Sequence, residues 1–225
     1  MPAVALLRHA QASFGAADYD VLSPLGHEQA RAAGRALAAQ GMRPVRLFTG
    51  SQRRHRETLE GVGEGLGLDA GRAEVHPGLD EFDFRGLLDA RFREGGAPEG
   101  MHEDRRAHLR ALQDTLLAWQ RDEIDRPPER FADFAARVRD ARDAMVDAAA
   151  GSGADVLAVS SGGPIGETVR SVLDAPAGQM IALQLQLRNC GLSRLAVART
   201  GLFLSGFNET PHIDAANEAR LLTYS

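Results

Sequence analysis

The chain has 225 residues, 44% of them hydrophobic, enough for a sizeable buried core. Its net charge of −5 and pI near 5.8 give no global basic field, which argues against nucleic acid or an anionic membrane as partner. One cysteine, Cys190, builds neither a disulfide framework nor a cysteine zinc site, so a reducing compartment, the cytoplasm, is expected. All 26 basic side chains are arginine, which excludes lysine Schiff-base chemistry and the P-loop lysine. Any phosphate must therefore be gripped by guanidinium forks, backbone amides or hydroxyls.

In chain order, Val4–Leu7 is a short apolar run ending in Arg8-His9, and it reads as a buried strand followed by a loop over 11–22. Pro2–Leu7 is too short for the hydrophobic region of a signal peptide, and no run approaches the length of a membrane span. Ser23-Pro24 is a helix start, serine at the cap and proline in the first turn, and Gly41 stops that helix after Gln40. A second strand over Val45–Thr49 leads to a helix opened by Ser51 and ending near Gly61 or Gly65. Val75–Leu79 is a weaker extended segment that passes into Asp80-Glu81-Phe82-Asp83, and Gly86–Gly100 is glycine-rich loop or short helix.

Two charged helices follow, over Met101–Asp125 and Pro128–Ala150. Their apolar stripes run through Leu109, Leu112, Leu116 and Leu117 and through Phe131, Phe134, Val138 and Met145. Together 86–150 read as a helical insertion in a single domain of residues 1–225, roofing the functional edge. Asp155–Val159 is another strand, and Ser160-Ser161-Gly162-Gly163-Pro164 opens a helix. Leu183–Leu187, Leu192–Ala198 and Leu202–Phe207 read as closing strands. The alternation of strands and helices predicts a three-layer α/β fold, a mainly parallel sheet flanked by helices. Ligands of such sheets bind beyond the carboxyl ends of the strands. There the pattern places Arg8 and His9, Ser51 and Arg54, Glu81, and Ser160–Gly163.

Two arginines, a histidine, a carboxyl and a glycine-rich helix start suit phosphoryl transfer through histidine. Guanidiniums neutralise phosphoryl oxygens, a helix N-terminus adds N–H donors, a neutral imidazole attacks phosphorus and a carboxylic acid protonates the leaving alkoxide. Leu7-Arg8-His9-Ala10, the Arg54-to-Thr58 spacing, Leu79-Asp80-Glu81 and Val159-Ser-Ser161-Gly-Gly resemble the histidine phosphatase (phosphoglycerate mutase-like) superfamily over nearly the whole chain. Asp20, Leu22-Ser23, Gly26, Gln29-Ala30 and Asn189 extend the resemblance. It implies His9 as phosphate-accepting nucleophile, Arg8 and Arg54 as phosphate ligands and Glu81 as general acid. Ser13, Ser161 and Gly162 join them as candidate phosphate contacts.

Two departures stand out. Ala10 replaces the usual glycine, a mild change if its φ is negative. Ser161 occupies the place of the second active-site histidine. Losing that charge-assisted contact costs about 2–4 kcal/mol of transition-state stabilisation, a rate loss of roughly a hundredfold or more. His212 is a candidate replacement. Arg105, Arg106 and Arg110 read as a second anion site or, more simply, as a solvated helix face.

The expected activity is a metal-independent phosphatase, without cofactor, acting on a small phosphorylated substrate. The alternatives are a weak or inactive phospholigand binder and a phosphoglycerate-mutase-type transferase. No sequence feature reads out an oligomeric state.

Overall fold

Strand β1 (Ala3–Arg8) is buried from Val4 onward and lies at the centre of a six-stranded mixed sheet. The computed structural model describes residues 1–13, 20–93, 95, 96 and 105–224, with backbone alone for 105–109. The sheet order is β3-β2-β4-β1-β5-β6. β1, β2 (Arg46–Thr49), β3 (Glu74–Val75) and β4 (Val156–Ser160) run parallel, β5 (Leu192–Ala198) runs antiparallel to β1, and β6 (Gly201–Glu209) pairs antiparallel with β5. The mainly parallel three-layer fold expected from the sequence is present.

Alternation along the central strands divides the core. Val4 and Leu6 of β1 join Val156 and Ala158 of β4 in one layer, closed by Ala141, Met145 and Ala149 of α5 (Phe131–Ser152). Ala5, Leu7, Leu157 and Val159 face the other layer, where α1 (Pro24–Ala39) and α2 (Arg53–Leu66) pack. A strand buried on both faces must be an apolar run, as β1 is. Ser23 caps α1 by accepting from the Gly26 N–H at 3.0 Å, and Gly41 follows the helix at φ +78°. Gly26 itself is dictated by space, since a Cβ there would lie 2.1 Å from the Gln11 carbonyl oxygen.

A third cluster lies beside the sheet. Phe82 meets Trp119 at a ring-centroid distance of 4.9 Å and Phe134 at 5.6 Å. Leu87 of α3 (Phe84–Arg91), Leu116 of α4 (Arg105–Gln120) and Met180 of α7 (Gln179–Gln186) complete it. α5 therefore serves twice: Phe134 and Val138 bury in this cluster, and the last turns cover the sheet. The side chains of Leu109, Arg105 and Arg106 lie outside the described residues, and Arg110 is exposed on α4.

Leu183–Leu187 is not a strand. The leucine–glutamine alternation there belongs to α7, which buries Met180 and Ile181 and packs on α6 (Gly162–Val172). Among the described residues no helix is long and apolar enough to cross a membrane.

Candidate functional site

The carboxyl ends of β1, β2 and β4 converge as the parallel register requires, Arg8 opposite Ser160 and Thr49 opposite Val159. His9 follows β1 directly. Its N–H donates to the Ser160 carbonyl at 2.9 Å, and its own carbonyl accepts from Asn189 Nδ2 at 3.2 Å. Asn189 is held in turn by the Thr223 hydroxyl at 2.8 Å. The backbone of His9 is thus clamped between the end of β4 and the turn that precedes β5.

The His9 ring is buried, and its Nδ1 lies 2.8 Å from the Ala10 carbonyl. That carbonyl can only accept, so Nδ1 carries the proton and Nε2 keeps a free lone pair. Burial first, then Arg8, Arg54 and His55, hold the His9 pKa well below the ordinary imidazole value. At neutral pH the ring is uncharged, the state a nucleophile needs. Ala10 has no positive φ, so its side chain is free of backbone strain, and its N–H donates to the Thr58 hydroxyl at 3.0 Å. Thr58 in turn donates to the Arg54 carbonyl at 2.7 Å, which accounts physically for the four-residue spacing.

Both arginines are at least nine-tenths buried. Arg8 Nη1 donates to the carbonyl of Leu187 at the end of α7. Arg54 Nη1 pairs with Asp20 Oδ1 at 2.8 Å, and Nη2 donates to Gln52 Oε1 at 2.8 Å and to Ser161 Oγ at 3.4 Å. Asp20 also accepts from the Arg53 N–H at 2.7 Å, tying the loop before α1 to the first turn of α2. Gln52 Oε1 accepts a second bond, 3.2 Å, from the Glu81 N–H.

Glu81 is seated from two sides. Phe82 anchors it in the aromatic cluster, and Arg137 of α5 donates to the Asp80 carbonyl at 2.7 Å while pairing with Glu129. Loss of water around the Glu81 carboxyl raises its pKa, against the Gly163 N–H, Arg54 and Arg8, which lower it. The same two arginines, Arg8 and Arg54, act on both the Glu81 carboxyl and the His9 ring.

Ser161 is the N-cap residue of α6, yet its hydroxyl does not cap the helix. It turns instead to α2, where His55 Nε2 lies 2.7 Å away. His55 was not among the sequence candidates; it is fully buried, with its ring 5.7 Å from that of His9. The imidazole beside Ser161 therefore comes from His55 and not from His212. Neither His212 ring nitrogen has a hydrogen-bond partner among the described residues, and burial pushes its pKa down to about 4. Gly162 opens α6 in the same buried turn, whereas Ser13 is tied in through its backbone N–H, 2.8 Å from the Val21 carbonyl. Cys190 is a buried core residue whose thiol pKa burial raises.

Fold and edge define a three-layer α/β protein with a buried, cationic, histidine-bearing sheet edge. The family model for the histidine phosphatase superfamily (branch 1) matches residues 4–210, and the chain belongs to that superfamily. The fold is shared with a mycobacterial glucosyl-3-phosphoglycerate phosphatase solved with inorganic phosphate, at 22% identity, TM-score 0.67, and 95% and 100% coverage of the two chains. Bacillus stearothermophilus YhfR matches at 18% identity and TM-score 0.69 over 95% of this chain and 100% of its own. The alpha-ribazole phosphatase of Shigella flexneri matches at 20% identity and TM-score 0.65, covering 92% and 96%. No curated protein matches the sequence.

Proposed function

We propose that this protein is a metal-independent phosphatase that hydrolyses a small phosphomonoester through a phosphohistidine on His9. The observation that carries the reading is the His9 ring itself, buried and neutral, with Nδ1 committed to Ala10 and Arg8 and Arg54 close enough to lower its pKa. His9 Nε2 attacks phosphorus and the ester P–O bond breaks. Arg8, Arg54, Ser161, Ser13 and the Gly162 amide hold the phosphoryl oxygens, and Glu81 gives its proton to the leaving alkoxide. Glu81 then takes a proton from water, the water oxygen bonds to phosphorus, and the P–N bond breaks to release inorganic phosphate. No step calls for a metal or cofactor.

The phosphatase names carried by two of these fold neighbours support the reaction class. Placement of the helices within 86–150 beside Glu81 supports their role as a roof in a single-domain enzyme, and the lone buried Cys190 suits a cytoplasmic one. Hydrolysis of an aryl phosphate in EDTA tests the reading. Turnover by wild type that disappears in His9→Ala is expected; turnover retained in that variant would refute the reading.

A further inference from the structure

We propose that His55, Ser161 and Asp80 form a relay in which Ser161 contacts the transferring phosphoryl group and His55 positions and charges that contact. The inference rests on the phosphatase reading above. His55 Nε2 lies 2.7 Å from Ser161 Oγ, and Nδ1 on the far side of the ring faces Asp80 Oδ1 at 3.7 Å. Asp80 is itself fixed by the Ser51 N–H at 2.6 Å and by the Ser51 hydroxyl at 2.5 Å. Gly50 leaves the room for this approach, since a Cβ there would fall 2.2 Å from His55 Nδ1 and 2.5 Å from Asp80 Oδ1.

A fully buried imidazole whose Nδ1 has no hydrogen-bond partner among the described residues, with Asp80 Oδ1 3.7 Å away, is costly unless another state uses it. Facing it among the described residues are His9 from just after β1, Asp20 from the loop before α1, Arg54 from its own helix and Asp80. Burial outweighs the two carboxylates and keeps His55 neutral in the free protein. With its proton on Nδ1 toward Asp80, Nε2 accepts the Ser161 O–H.

An arriving phosphoryl dianion reverses this. A proton from solvent binds Nε2, Nε2–H donates to Ser161 Oγ, and the serine O–H is released to donate to a phosphoryl oxygen. The Asp80 carboxylate then closes on Nδ1–H, as such bonds tighten in the reacting complex. A hydroxyl that alone brings no charge becomes the end of a charged chain beside Arg54, 3.4 Å away.

A double-mutant cycle with Ser161→Ala, His55→Gln and the pair tests the relay, read by aryl phosphate kcat/KM and by orthovanadate binding in calorimetry. Each single change should cut kcat/KM roughly a hundredfold, the size of one lost transition-state donor. The loss should fall on kcat more than on KM, and the double variant should lose little more. Losses that multiply, or a wild-type rate in either single variant while His9→Ala is dead, would overturn the relay and leave the phosphatase reading intact. If wild type hydrolyses no ester, that reading fails and orthovanadate alone decides the relay. Ser161→Ala removes one oxygen and tests the relay even where His55→Gln does not fold; unchanged orthovanadate affinity there would overturn it.

Discussion

Both carboxylate oxygens of Glu81 lie 3.2 Å from the backbone nitrogen of Gly163. The N-terminal turn of α6 is therefore a seat for the proposed acid as well as a flank of the proposed phosphate site. No side chain fits between them, because a Cβ at position 163 would stand 2.2 Å from Glu81 Oε1 and 2.6 Å from the Phe82 ring. Gly163→Ala should fold with a modest stability loss and displace Glu81. A drop of at least tenfold in kcat on an alkyl phosphate, measured beside a thermal melt, is expected.

The acid role carries a pH signature. The proposed mechanism needs His9 neutral and Glu81 protonated. The lowered His9 pKa moves the acid limb of kcat/KM well below 6.5, and the raised Glu81 pKa carries the alkaline limb above the ordinary carboxyl range. Glu81→Gln should flatten the alkaline limb. It should cost about a hundredfold or more on alkyl phosphates, whose leaving oxygen needs a proton, and far less on nitrophenyl phosphate. The comparison of the two substrates across pH is the check.

Thr58 makes a stability claim. Its hydroxyl bridges the Ala10 N–H and the Arg54 carbonyl, so Thr58→Val strands a buried donor beside His9. A loss of about 1–3 kcal/mol in denaturant unfolding is expected, together with a lower kcat as His9 loosens.

Acid stability depends on the buried histidines. His9, His55 and His212 all have pKa values below the unfolded value near 6.5. The unfolded chain binds their protons first, so stability is fully present above about pH 6.5 and falls as pH drops below it. For His212 the loss runs down to about pH 4, at up to about 1.4 kcal/mol per pH unit. His212→Gln should make the stability curve shallower between those limits, as urea melts at pH 7 and pH 5 would show.

Much of the site was legible because chemistry and fold coincide at strand exits. Val4–Leu7 can only be a doubly buried strand, and Arg8-His9 at its end breaks that pattern. His55 escaped notice because Arg53-Arg54-His55-Arg56 looks like a solvated charge run. Its burial comes from helix period, since Arg54, His55, Thr58, Leu59 and Val62 share the inner face of α2. That period was a usable signal. Leu183–Leu187 misled for the opposite reason, since its alternation has the period of a strand while Leu185 is exposed and Met180 and Ile181 carry the burial. The turn at Leu187 matters for the site, because its carbonyl braces Arg8.

The most direct measurement is a rapid acid-free quench of wild type mixed with phosphate-labelled aryl ester, followed by peptide mapping of the labelled protein. The account predicts base-stable, acid-labile phosphate on the peptide containing His9, formed and lost at rates compatible with turnover, and absent in His9→Ala. Steady turnover with no label on His9, or with label on another residue, would contradict it.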